Sequence, residues 1–63
     1  MRTDKHLILN SNISNAIRHR EAARIAAKRA ETAGNLKQKK SFEKETKEWQ
    51  EKIDGWREEL KLL

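Results

Sequence analysis

The sequence predicts an all-α protein, an antiparallel hairpin of two helices that dimerises into a four-helix bundle. Three observations carry this expectation. Proline is absent, glycine occurs only twice, and Ala, Glu, Lys, Arg and Leu dominate, a composition suited to long helices. Phe42, Thr46, Trp49, Ile53, Trp56, Leu60 and Leu63 recur at spacings of 4 and 3, an unbroken heptad seam. A helix stop and a helix start abut at Gly34-Asn35, midway along the chain.

The first helix is expected over about residues 11–33. The short polar side chains of Asn10-Ser11-Asn12 can accept hydrogen bonds from free backbone N–H groups, with Thr3-Asp4 as an earlier alternative start. Ala16, His19, Ala23, Ala26, Ala30 and Ala33 follow at spacings of 3 and 4, a stripe that lets a second helix approach closely but offers little area to bury. Gly34 supplies the left-handed residue that commonly ends a helix, and Asn35 with Gln38 three positions later resembles a capping box. With the turn at 34–35, the second helix should run over about 36–62. Glu43 with Lys47 and Glu48 with Lys52 form i,i+4 pairs on its outer side, and Gly55, off the seam, costs about 1 kcal/mol in helix propensity.

One continuous helix is a poor alternative, because the alanine register carried forward falls on Lys37 and Lys44 and misses the aromatic seam. Folding at Gly34-Asn35 brings together residues whose numbers sum to about 69, pairing Ala27 with Phe42, Ala23 with Thr46, Ala16 with Ile53, Ile13 with Trp56 and Leu9 with Leu60. Small then faces large, and Leu7, Ile8 and Leu9 find an apolar destination beside Leu60, Leu62 and Leu63. The expected core and dimer set is Ala23, Ala27, Phe42, Trp49, Ile53, Trp56, Leu60 and Leu63. A chain of 63 residues is near the size at which a single core needs a supplement, and without cysteine no disulfide can provide it. A homodimer sharing the aromatic core is the supplement that remains.

No catalytic constellation, cofactor motif or metal-ligand spacing is present. His6 and His19 lack close spacing or grouped carboxylates, and His19, on the alanine stripe, is expected to be a partly buried, hydrogen-bonded core histidine, with a pH-sensitive packing residue as the second reading. The apolar run of Leu7, Ile8 and Leu9 is too short for a signal-peptide core or a membrane span, and a cytoplasmic location is the expectation. The formal charge is +5, with eight basic residues and only Glu21 and Glu31 between residues 18 and 40. Arg20, Arg24 and Lys28 repeat at i,i+4, a ridge of like charges that costs a helix a few tenths of a kcal/mol per pair unless neutralised. These three, with Lys37, Lys39 and Lys40 at the turn, form the candidate surface for a protein with an acidic face. Arg20 is positioned to lean over Trp49. The plain alternative is a solvated face in which Glu21 and Glu31 offset the repulsion.

Residues 18–29, RHREAARIAAKR, look superficially like the basic region of a leucine-zipper transcription factor. Asn15, however, lies seven and eight positions before Ala22 and Ala23, where that family needs three and four, and Gly34-Asn35 interrupts its continuous helix. NSNISNAIR over 10–18, KEWQEKIDGWR over 47–57 and the leucine-rich end resemble the short early proteins encoded between the exonuclease and excisionase genes of lambda-like bacteriophages. That resemblance implies a non-enzymatic protein of the infected host cell that favours lytic development or interferes with host replication or cell-cycle control, and it carries over no functional residue. The leading function is therefore protein–protein interaction. The alternative is a nucleic-acid-binding module using residues 18–40, which have charge for phosphate contacts but no aromatics placed to stack on bases.

Overall fold

The computed structural model describes residues 4–63. They form two helices, α1 (Asp4–Thr32) and α2 (Leu36–Leu62), packed against each other. The turn follows from backbone chemistry. Gly34 adopts φ +75, its N–H donates to the Glu31 carbonyl at 3.0 Å, and the Asn35 N–H donates to the Ala30 carbonyl at 2.9 Å. These are the two bonds of a Schellman cap, and they satisfy carbonyls that the end of α1 leaves open. Asn35 then serves α2 as well, its Oδ1 accepting from the Gln38 N–H at 3.1 Å.

Helix α1 begins earlier than residue 11 and ends at Thr32 rather than 33. Asp4 is the first described residue, and Thr3 lies outside the described ones. The polar run Asn10-Ser11-Asn12 does not start the helix because Leu9, only 4% exposed, is anchored against the rest of the molecule, and tertiary burial outweighs a capping preference. The stripe on α1 is also displaced from the expected one. Leu9, Ala16, Ala23, Ala27 and Ala30 are buried, with Ile13 half-buried, whereas His19 and Ala33 are exposed. Completed by Arg20, the stripe reads 9, 13, 16, 20, 23, 27, 30, a heptad register like that of α2.

On α2, Ile53 is fully buried, and Phe42, Thr46, Trp49, Trp56 and Leu60 are half-buried. Leu63 is 49% exposed and does not join the core. Leu7, Ile8 and Leu62 are also exposed, so of the apolar residues expected to gather at that end only Leu9 is enclosed. Thr46 tolerates its seam position because its hydroxyl donates to the Phe42 carbonyl at 2.8 Å. Cross-helix contacts of His19 with Trp49, Arg20 with Gln50 and Glu31 with Lys39 give number sums of 68, 70 and 70, the register expected of the hairpin. The molecule measures 50 × 14 × 10 Å over its Cα atoms, about one helix thick, so each broad face is open.

Two glycine substitutions should act in opposite directions in a circular-dichroism melt. Gly34→Ala imposes a Cβ on a left-handed residue and should cost about 1 kcal/mol. A Cβ at Gly55 meets nothing within 4 Å inside a regular helix, so Gly55→Ala should stabilise by about 1 kcal/mol, a rise of several degrees. Ile53→Ala should be the most damaging aliphatic truncation on α2, at roughly 2–5 kcal/mol, measured by urea unfolding.

Candidate functional site

Helical geometry divides the two broad faces. Relative to the line through Thr46, Ile53 and Leu60, a turn of 100° per residue sends Phe42, Trp49 and Trp56 about 50° to one side and Glu43 and Gln50 about 50° to the other. One face is therefore aromatic and the other polar. The polar face holds an open cleft of about 780 Å³ between the helices. Arg20, Arg24, Lys28 and Glu31 of α1 form one wall. Lys39, Glu43, Lys47 and Gln50 of α2 form the other, with Ala27 and Thr46 also lining the cleft between them.

Side-chain contacts close both ends of the cleft. At the turn end Lys39 Nζ lies 3.7 Å from Glu31 Oε2. At the other end Arg20 Nη1 donates to Gln50 Oε1, Arg20 Nη2 reaches Glu21 Oε1 at 3.1 Å, and Gln50 Nε2 donates to Asp54 Oδ1 at 2.9 Å. Arg20, with its side chain 25% exposed, is thus held in place, whereas Arg24 is 73% exposed and has only a 3.7 Å contact with Glu21. Lys28 and Lys47, on opposite walls, have no carboxylate within 4 Å among the described residues. The cleft brings five cations together with two carboxylates, Glu31 and Glu43.

The ridge of Arg20, Arg24 and Lys28 thus forms a cleft wall, and Lys39 joins it across the molecule, while Lys37 and Lys40 are exposed and lie outside it. Arg20 does not lean over Trp49. His19 takes that position, stacked at 4.7 Å between centroids and 12° between planes, so it packs by its ring face and is not a hydrogen-bonded core histidine. Lys52 Nζ lies 4.6 Å from the Trp49 ring centre instead of pairing with Glu48, and Glu43 and Lys47 likewise make no ion pair. Sequence reasoning missed Glu31, Lys47 and Gln50 as members of one surface. The pairing sum near 69, applied to charged residues as well as apolar ones, would have placed Glu31 by Lys39 and Arg20 by Gln50.

No protein-family model, curated protein or solved structure matches this chain. Among the described residues, no three His, Cys, Asp or Glu side chains are grouped to hold a metal ion, and no helix is long and apolar enough to cross a membrane.

The two kinds of contact should differ in weight. Lys39→Ala removes one exposed ion pair and should change stability by under about 1 kcal/mol. Trp49→Ala removes the His19 stack, the Lys52 contact and part of the core, and should cost several times more in the same chemical denaturation experiment.

Proposed function

We propose that this protein acts by binding another protein, without catalysing a reaction, and that its cleft receives an acidic face of that partner. The observation that carries the reading is the charge imbalance in the cleft, five cations against two carboxylates, with Lys28 and Lys47 unneutralised on facing walls. Like charges held along one helix edge disfavour the free protein, and an acidic partner relieves that repulsion. The resemblance to short early proteins of lambda-like phages supports a role in the cytoplasm of the infected cell, favouring lytic growth or disturbing host replication or cell-cycle control.

The opposite face is proposed to mediate homodimerisation into a four-helix bundle. Phe42, Trp49 and Trp56 are each only half-buried in a layer one helix thick, and Ala22 and Ala26 beside them are small enough for a second hairpin to approach closely. This arrangement leaves the cleft open. Light scattering at micromolar concentration should give twice the chain mass, and a stable monomer would refute the dimer.

A nucleic-acid role has one feature in its favour, the concentration of cations between residues 18 and 40. It makes a separate forecast of duplex binding that weakens steeply with salt. Affinity capture from nuclease-treated host lysate distinguishes the two. Arg24→Glu with Lys28→Glu should abolish capture of the protein partner and leave the melt nearly unchanged, since both side chains are exposed. Strong duplex binding at physiological salt with no protein recovered would reverse the ranking.

A further inference from the structure

The dimensions and chemistry of the cleft specify what kind of acidic surface it fits. We infer that the partner presents an α-helix of about three turns, laid between α1 and α2 as a third helix, with carboxylates one turn apart facing Arg24 and Lys28. This inference rests on the proposed function and names the partner's segment.

The cleft runs from Arg20 to Glu31 along α1, eleven residues, or about 16 Å at helical rise. Its ends are closed by the Arg20–Gln50 and Glu31–Lys39 contacts, which sets the length of an inserted segment near three turns. Ala27 and Thr46, small side chains between the walls, leave room for a third helix at ordinary interaxial distance, about 8–10 Å. The cations on the α1 wall rise about 6 Å from Arg24 to Lys28, the spacing of i,i+4 carboxylates on a facing helix. A further carboxylate on the helix's other flank meets Lys47.

A helix is favoured over an extended peptide because both walls are themselves helices, whose backbone groups are already bonded internally. An extended chain would find no backbone partners there, whereas a helix brings its own hydrogen bonds satisfied. A polynucleotide is disfavoured by Glu31 and Glu43, which a continuous line of phosphates cannot avoid but which a peptide can face with a basic or neutral residue. The aromatic side chains point to the opposite face and offer no stacking platform inside the cleft.

The test uses the full chain and three synthetic 15-residue helical peptides, acetylated and amidated. The first is alanine-rich with glutamates in i,i+4 pairs on one face, the second has the same composition with the glutamates dispersed around the helix, and the third carries lysine in place of glutamate. Binding is followed by fluorescence anisotropy and by amide chemical shifts of the protein. The matched peptide should bind saturably with its largest shifts at residues 20–31 and 39–50, the dispersed peptide about fivefold or more weakly, and the lysine peptide not at all. Arg24→Glu with Lys28→Glu should remove binding, and Lys47→Glu alone should weaken it, because the helix touches both walls.

Equal affinity for matched and dispersed peptides would overturn the inference, as would shifts centred on Phe42, Trp49 and Trp56. It would also fall if a 15-base-pair duplex displaced the matched peptide at physiological salt. Salt-sensitive self-association that excludes the peptide and disappears with the charge reversal would assign the cleft to a second copy of this chain and overturn the inference too. The two levels of the reading separate cleanly. Lysate capture that survives the charge reversal refutes the cleft as the partner site, whereas capture that is lost on reversal while matched and dispersed peptides bind alike refutes only the helical spacing.

Discussion

The molecule depends on how closely α1 allows α2 to approach. Alanines at 16, 23, 27 and 30 remove bulk from one helix so that the larger side chains of the other can reach its backbone, and Ile53, with no exposed surface, marks where this fit is tightest. The same economy limits the core. Alanine contributes little apolar area, so the hydrophobic stabilisation comes mainly from α2 and from Leu9. A seam this narrow encloses one line of residues and leaves the flanks of that line open on both sides, and these flanks become the two faces of the molecule.

Those faces differ because the residues beside the seam differ. On one side stand Phe42, Trp49 and Trp56, with His19 stacked on the central ring and Lys52 against it. On the other side stand long charged side chains whose stems cover the edges of the core while their heads remain in water. The proposed self-association and the proposed partner binding would therefore use separate surfaces. The first would draw on apolar area, and the second on charge, which responds to salt.

Much of the fold was legible from residue spacing. The heptad run from Phe42 to Leu60 and the abutting signals at Gly34-Asn35 identified two helices and their turn, and the pairing rule placed the contacting residues to within one position. The start of α1 was not legible, because Asn10-Ser11-Asn12 has the composition of a cap and only the burial of Leu9 carries the helix through it. The pairing rule had already placed Ala27 against Phe42, but the exclusion of His19 and Ala33 from the α1 stripe and the inclusion of Arg20 depend on helix rotation, which an alanine-rich surface defines poorly since neighbouring alanines are nearly equivalent. The ridge of Arg20, Arg24 and Lys28 could be read from α1 alone. The cleft could not, because its second wall is contributed by residues of α2 that carry meaning only once the hairpin has closed.

The turn has a mechanical consequence. Gly34 and Asn35 complete the cap of α1 and begin that of α2 with no intervening linker, so the turn sets the register between the helices and leaves little slack for one to slide along the other. The turn is then a pivot, and the arms beyond it are about 40 Å long at helical rise. An opening of roughly 5° at the pivot separates the distal ends by about 3 to 4 Å but barely alters the spacing near Lys39 and Glu31. The exposed Leu7, Ile8, Leu62 and Leu63 sit at the far ends of those arms, where leverage is greatest. A small angular change at the turn would therefore move these leucines most and the Lys39–Glu31 pair least, as in a pair of tongs.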